Sequence, residues 1–170
     1  MRIAVIGSHC VGKTTIVEEL QKLLPDYEFY PEPYYELEEQ GYLFSETPTV
    51  DDYIAQFEYS IKQIKISGDN AIFDRCPVDL FAYIQAVNES EDIQVFYQRI
   101  EAVLSGIDLL VFVPIEEPDR ILCSELPELR QEVNEILHDL IGDLDIETIE
   151  VSGNIAQRVN QIKTKYYGTT

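Results

Sequence analysis

The chain alternates between two patterns of hydrophobic and polar residues. Short continuous apolar runs, such as residues 3–6 and 109–113, are typical of strands buried on both faces. Longer stretches, such as residues 13–24, carry apolar residues at every third or fourth position, which is typical of amphipathic helices. These patterns predict strands at 3–6, 28–30, 71–74, 109–113 and 146–151, and helices at 13–24, 34–41, 51–67, from 77, 92–104, 129–140 and 155–166. Five strands separated by helices predict an α/β fold in three layers, with a five-stranded parallel sheet and helices on both faces.

A phosphate-binding loop is the strongest motif in the sequence. Residues 7–14, Gly-Ser-His-Cys-Val-Gly-Lys-Thr, match GxxxxGK[ST] in full, directly after a predicted strand and before a predicted helix. In such a loop the glycines allow a tight turn, and backbone N–H groups and the helix N-terminus face the phosphates. Lys13 is placed to reach the β- and γ-phosphates, and the Thr14 hydroxyl can bind Mg²⁺. We interpret His9 as a spacer within the loop rather than as a base.

Two further charged positions lie just after predicted strands. Asp74 and Arg75 close the third strand, where a carboxylate can hold magnesium and an arginine can bind a phosphate or the acceptor. Glu32 lies between Pro31 and Pro33, which stiffen the backbone, and it could take a proton from an acceptor hydroxyl. Ligands bind at the carboxyl ends of strands in sheets of this kind, so these side chains are candidates for one site.

Together these motifs resemble a kinase family. The phosphate loop, then Glu32-Pro33, then residues 74–79 (Asp-Arg-Cys-Pro-Val-Asp) are similar to the deoxynucleoside kinases and nucleoside-monophosphate kinases. The chain is also similar to P-loop ATPase domains that include ribosylnicotinamide-kinase-like proteins. The resemblance implies a P-loop NTPase fold and an ATP–Mg²⁺-dependent phosphotransferase acting on a small molecule, such as a nucleoside or nucleotide.

The resemblance also implies roles for individual residues. Glu32 would be the general base, Arg75 would bind near the transferred phosphate, and Asp74 with Thr14 would place magnesium. The implied catalytic set is Lys13, Glu32, Arg75, Arg120 and Arg130. The implied nucleotide-binding set is Gly7, Ser8, His9, Cys10, Val11, Gly12, Lys13, Thr14, Thr15, Gly153 and Asn154. The implied substrate-binding set is Glu32, Tyr53, Gln56, Phe57, Arg75 and Asp79.

Two segments have roles implied by their position in such kinases. Residues 114–130 would be a lid in which Arg120 and Arg130 are the only cations, and a lid arginine would stabilise the charge that develops on the transferred phosphoryl group. Residues 152–154 resemble the loop that contacts adenine, where Gly153 could let the backbone approach the ring. The 34–53 segment matches no acceptor pocket of that family. The whole chain, 1–170, is expected to form a single domain.

The composition of the chain limits the binding partners, the cellular location and the cysteine chemistry that we expect. The formal net charge is −20 over 170 residues, which disfavours binding to nucleic acid or to an anionic membrane. We expect a cytoplasmic protein, because the longest apolar run is too short to span a bilayer and the first predicted strand begins almost at once. The three cysteines are scattered and include no CxxC pair, which argues against a disulfide framework or a zinc site.

Three other functions of P-loop proteins are alternatives to a phosphotransferase, and the sequence disfavours two of them. A GTPase switch would carry a guanine-reading Asn-Lys-x-Asp sequence near the fourth strand, and residues 113–117 lack it. A DNA motor would need a longer and less acidic chain. A P-loop ATPase with a regulatory or partner-dependent role and no small-molecule acceptor remains the main alternative. The amphipathic helices at 51–67 and 92–104 could form the face of a homodimer.

Overall fold

A computed structural model describes residues 1–88 and 92–168. The elements follow the predicted order of strands and helices. The strands are β1 (Arg2–Ile6), β2 (Glu28–Tyr30), β3 (Ala71–Asp74), β4 (Leu109–Phe112) and β5 (Thr148–Glu150). The helices are α1 (Lys13–Leu23), α2 (Pro33–Glu39), α3 (Val50–Ile66), α4 (Pro77–Val87), α5 (Ile93–Leu104), α6 (Pro127–Asp143) and α7 (Ile155–Tyr167).

The strands form one parallel sheet in the order β2-β3-β1-β4-β5. The first strand of the chain is therefore its central strand, with Val5 paired to Asp74 of β3 and Ile6 paired to Phe112 of β4. Because all strands run in the same direction, the loops after β1, β3 and β4 leave from one edge of the sheet. This edge carries the phosphate loop, Asp74-Arg75 and the start of the 114–130 segment.

Apolar side chains from the strands enter two separate cores. In β1, Ala4 and Ile6 face the core shared with α3, α4, α5 and α6, whereas Ile3 and Val5 face the core shared with α1 and α7. Helices thus cover both faces, and the predicted three-layer α/β fold is confirmed. The homodimer stays a prediction.

The observed boundaries differ from the predicted ones mainly at strand and helix ends. Strand β5 keeps only residues 148–150 of the predicted 146–151, and α2 begins at Pro33, whose fixed φ suits the first helical position. Helix α3 begins at a reciprocal cap in which Thr49 and Asp52 bond each other's backbone N–H. No helix among residues 1–88 and 92–168 combines the length and apolarity needed to cross a bilayer.

Candidate active site

The phosphate loop joins β1 to α1 through backbone conformations that suit glycine. Gly12 has φ 89° and Gly7 has φ 152°. A Cβ on Gly7 would lie 2.5 Å from the carbonyl oxygen of Val113, so the loop can pass this close to the end of β4 only without a side chain. The first N–H groups of α1 have no partner within the helix and can bind an anion.

Lys13 is buried at the start of α1. Its ammonium group donates a hydrogen bond to the carbonyl oxygen of Ser8, 2.5 Å away, within the same loop. Burial, together with the positive charge of Arg75, lowers the pKa of Lys13 to about 8. The side chain is thus a cation that an arriving phosphate would stabilise.

Thr14 and Asp74 form a pair that fits a divalent cation. The Thr14 hydroxyl donates to Oδ2 of Asp74 at 2.8 Å, and Oδ1 of Asp74 is buried without a hydrogen-bond partner. Burial, aided by the negative charge of Glu32, raises the pKa of Asp74 above its ordinary value. Among the described residues, no group of three or more His, Cys, Asp or Glu side chains is arranged to hold a metal ion.

Arg75 is the centre of a buried charged network. Its Nε donates to Glu32 at 2.6 Å, and its Nη1 donates to Asp79 at 2.9 Å and to the carbonyl oxygen of Gly7 at 3.2 Å. Arg75 has φ 77°, a left-handed conformation that is costly for a residue with a side chain. The network therefore ties the ends of β1, β2 and β3 together at the site.

Asp79 occupies a different place from the one that the predicted substrate contact requires. It is fully buried, caps α4 by accepting the N–H of Cys76, and pairs with Arg75. In this conformation Asp79 orients Arg75 and exposes no surface to a ligand.

Glu32 immediately precedes α2 and faces an open cavity. Burial alone would raise the pKa of its carboxyl group, but the positive charges of Arg75 and Lys13 hold the pKa below its ordinary value. One oxygen is bonded to Arg75. Glu32 is therefore an ionised carboxylate beside the phosphate loop, as a proton acceptor must be.

The cavity beside Glu32 has a volume of about 260 Å³ and aromatic walls. Tyr53 and Gln56, two predicted substrate contacts, line it, and Tyr53 stacks on Tyr83 with ring centroids 4.8 Å apart. Phe57 does not line the cavity, because its ring is fully buried in the core and packs edge-on against Phe96. Its predicted stacking on a ligand ring would need the core to open.

Sequence reasoning missed most of the cavity wall. The 34–53 segment, to which no pocket could be assigned, supplies much of the lining: Tyr34, Phe44, Ser45, Glu46, Pro48, Asp52 and Tyr53. Tyr34 stacks on Phe44 with centroids 4.2 Å apart. The only local signal was the density of aromatic residues, since no periodic pattern marks a loop that folds over a pocket.

The predicted lid arginines lie on either side of the start of α6. Arg120 is half-exposed and paired with Glu116, while Arg130 is buried on α6 itself. Arg130 pairs with Asp119 at 2.6 Å and donates to the carbonyl oxygens of His9 and Cys10 at 3.0 and 3.1 Å. In this conformation Arg130 binds the outside of the phosphate loop, and its role in catalysis stays a prediction.

The 114–130 segment and the phosphate loop are also joined by a disulfide. Cys10 and Cys123 are paired, with Cα atoms 6.0 Å apart and 113 positions apart in sequence, and only Cys76 is a free, buried thiol. The scattered cysteines argued against a disulfide framework, and the structure corrects this in part, because two of the three cysteines are paired. Spacing along the chain carried no signal, because the sheet topology brings the two segments together.

His9 is more than a spacer. Its Nε2 lies 2.8 Å from the carbonyl oxygen of Glu125, which can only accept, so Nε2 carries the proton, and Nδ1 accepts from the hydroxyl of Tyr83 at 2.9 Å. Burial is the main cause that lowers the pKa of His9 and keeps the ring neutral. The ring connects the cavity wall to the 114–130 segment.

The loop after β5 lies across a cleft from Arg120. Gly153 donates its N–H to Glu116, and Asn154 caps α7 through the N–H of Gln157 at 3.0 Å. The cleft is lined by Gly12, Thr15, Arg120, Ile121, Gly153, Asn154, Ile155 and Arg158. Arg158, which the sequence did not single out, is buried there and donates to the carbonyl oxygen of Val11 at 2.7 Å.

Comparisons with known proteins agree with this arrangement. The model of a protein family described as "AAA domain" matches residues 2–158 of the chain. No curated protein matches the chain.

Several of the similar solved structures are kinases. Deoxyadenosine kinase from M. mycoides with bound dATP is 21% identical, with a TM-score of 0.73 over 99% of this chain and 100% of that one. Thymidylate kinase from Candida albicans is 18% identical, with a TM-score of 0.68 over 98% of this chain and 90% of that one. NadR protein in complex with NR is 19% identical, with a TM-score of 0.75 over 99% of this chain but 52% of that one. At these identities the matches show a shared fold, and they confirm the predicted resemblance at that level.

Proposed function

We propose that this chain, which belongs to the AAA domain family, is an ATP–Mg²⁺-dependent phosphotransferase whose acceptor is a nucleoside. The observation that carries this proposal is the position of Glu32. Its ionised carboxylate lies between a complete phosphate loop and a cavity with aromatic walls. The proposal treats residues 1–170 as one cytoplasmic kinase domain in which residues 114–130 are the lid.

The donor half of the site would bind ATP through the phosphate loop. Backbone N–H groups at the start of α1 and the Lys13 ammonium would hold the β- and γ-phosphates. Thr14 and Asp74 would hold Mg²⁺, which supplies charge neutralisation between the phosphates when it is bound. Solved relatives support a nucleotide as the ligand, since deoxyadenosine kinase has been solved with dATP and NadR with AMP-PNP. The adenine would lie in the cleft between Arg120 and Gly153.

The acceptor half would orient a hydroxyl group toward the γ-phosphate. Glu32 would accept the proton of that hydroxyl, with Arg75 holding the carboxylate in place through its 2.6 Å hydrogen bond. Tyr34, Phe44 and Tyr53 offer ring faces on which a base can stack, and the Gln56 side chain lies at the same wall. Closure of the lid would exclude water from the transfer.

The charges around the cavity favour a nucleoside over a nucleotide. Four carboxylates line it, those of Glu32, Glu46, Asp52 and Glu125. Among its lining residues Arg75 is the one arginine or lysine, and it already pairs with Glu32 and Asp79. A phosphate monoester would meet uncompensated negative charge there, whereas a neutral or cationic nucleoside would not.

Acceptor choice provides a direct test. We expect ADP release from Mg-ATP to rise with one or more nucleosides or ribosyl-pyridines, and the corresponding 5′-monophosphates to have a kcat/KM lower by about tenfold or more, equivalent to about 1.4 kcal/mol. The measurement is a coupled ADP assay over matched nucleoside and monophosphate pairs. A preference for the monophosphates would contradict the acceptor assignment. A rate of ADP release that is the same with and without each acceptor would favour the ATPase alternative.

ATP binding is expected to take up a proton near pH 8.5. The pKa of Lys13 is about 8 in the free protein, so the group is mostly neutral above that pH, and the phosphates would raise its pKa and protonate it. Affinity for ATP should therefore fall as the pH rises through about 8. Calorimetric titrations in two buffers with different ionisation enthalpies measure the uptake, and the same pair at about pH 6.5 is the control. Equal heats in both buffers at pH 8.5 would show that Lys13 stays charged in the free protein.

A further inference from the structure

The two paired cysteines lie on parts of the site that a kinase must move relative to each other. Cys10 belongs to the phosphate loop and Cys123 to the 114–130 segment. Both side chains are partly exposed, whereas Cys76 is buried. An oxidant or reductant in solution can therefore reach the pair.

The pair fixes a segment that also forms one wall of the nucleotide cleft. Arg120 and Ile121, three and two positions before Cys123, line this cleft together with Gly153. The Cδ1 atom of Ile121 lies 3.4 Å from where a Cβ on Gly12 would be, so this wall rests directly on the phosphate loop. The bond between Cys123 and Cys10 restricts the movement of this wall away from the phosphate loop.

The remaining ties between the two parts are non-covalent. His9 bonds the carbonyl of Glu125, and Arg130 bonds the carbonyls of His9 and Cys10. These contacts can hold the segment closed and still break on the timescale of lid opening, which is microseconds to milliseconds. The disulfide alone converts a transient closed state into a lasting one.

We propose that Cys10 and Cys123 are a reversible thiol modification site that locks the lid and controls nucleotide exchange. The inference rests on the proposed function, because it assigns ATP to the phosphate loop. In a reducing compartment the two thiols would be free and the lid mobile. Under oxidising conditions the lid would be held closed, and nucleotide would enter and leave more slowly.

The chemistry requires a small-molecule disulfide, such as oxidised glutathione, as the oxidant. The thiolate of one cysteine attacks this disulfide, forms a mixed disulfide and releases one thiol. The second cysteine then attacks the mixed disulfide, which forms the Cys10–Cys123 bond and releases the second thiol. Overall two protein thiols lose two electrons and the small disulfide gains them, and the two protons pass to the released thiols. A dithiol reductant reverses both steps.

The test compares protein treated with oxidised glutathione and protein treated with dithiothreitol, each then freed of reagent. Thiols titrated in denaturant should fall from three to one on oxidation. Association and dissociation of a fluorescent ATP analogue, followed by stopped flow, should slow by about fivefold or more, equivalent to a barrier to lid opening that is higher by about 1 kcal/mol. Cys123→Ser, which leaves the phosphate loop intact, should show the fast exchange under both conditions, and Cys76→Ser should respond as the wild type does.

Amide hydrogen exchange of residues 114–126 gives a readout that needs no nucleotide. It should be slower in the oxidised protein and should lose this dependence in Cys123→Ser. Three free thiols after oxidation, or equal hydrogen exchange in both redox states, would overturn the lock. If neither redox state binds the ATP analogue, the proposed function fails, while hydrogen exchange still decides whether the lid is locked.

Discussion

Lys13→Ala is expected to lower kcat/KM by at least about 10²–10³-fold, the range measured when one donor to a developing anionic charge is removed. The ammonium is the only side-chain cation of the phosphate loop itself, and no other lysine is among the buried residues of the described chain. Arg75 cannot replace it, because its guanidinium is committed to Glu32, Asp79 and Gly7. The measurement is ADP release at saturating acceptor, together with ATP affinity by calorimetry.

The variant should still fold. Lys13 is a buried charge whose pKa is lowered, which means that the native structure disfavours its charged form. Its removal therefore should leave the melting temperature unchanged or raise it. Lys163→Ala, on the exposed face of α7, is the matched control and should keep full activity. Retained activity in Lys13→Ala would mean that the loop does not bind the transferred phosphate.

Glu32→Gln is expected to lower kcat by about 10²–10⁴-fold, the contribution of a positioned general base. Glutamine preserves the shape of the side chain and can still accept the hydrogen bond of Arg75, but it cannot take up a proton. Since Glu32 faces the acceptor cavity and not the cleft beside Gly12, the affinity for ATP should stay close to that of the wild type. Pre-steady-state measurement of the transfer step separates this loss from a change in binding.

The same variant distinguishes a kinase from a bare ATPase. A kinase loses acceptor-dependent turnover in Glu32→Gln, whereas an ATPase without acceptor would keep its basal hydrolysis in that variant and lose it in Lys13→Ala. Glu39→Gln, at the exposed end of α2, is the control for the loss of one carboxylate from this very acidic chain. Full acceptor-dependent activity in Glu32→Gln would show that Glu32 is not the general base. It would not contradict the roles proposed for the other residues of the site.

The fold could be predicted from sequence because its signals are local. Continuous apolar runs marked β1, β3 and β4, which are buried on both faces, and the phosphate-loop motif fixed where β1 ends and α1 begins. The short edge strands were harder to delimit, as β5 shows, because a half-exposed strand carries fewer apolar residues. The position of Asp74-Arg75 beside the loop followed from parallel topology alone.

The cavity beside Glu32 and the contacts of the 114–130 segment could not be predicted, because they depend on where loops fold. The aromatic residues of 34–53 line a cavity only when α3 places the ring of Tyr53 against that of Tyr83. Phe57 and Asp79 matched the spacing of ligand contacts, yet packing against Phe96 and pairing with Arg75 bury them. The Cys10–Cys123 bond and the buried Arg158 join segments more than 100 positions apart, for which a single sequence gives no pairing signal.

The order of strands in the sheet also has a consequence for how this protein is made. Of the five strands described, the first in chain order is the central one, and its partners are distant, with Arg2 paired to Ala71 and Ile3 paired to Leu109. Because the five described strands all pair in parallel, none of them can form a hairpin with the next. Long loops must therefore close before strand pairing can stabilise the chain, which slows folding. The phosphate loop acquires its shape only when Val113 lies behind Gly7. A fragment that ends before β4 would thus contain the whole motif but lack the residue against which the folded loop packs.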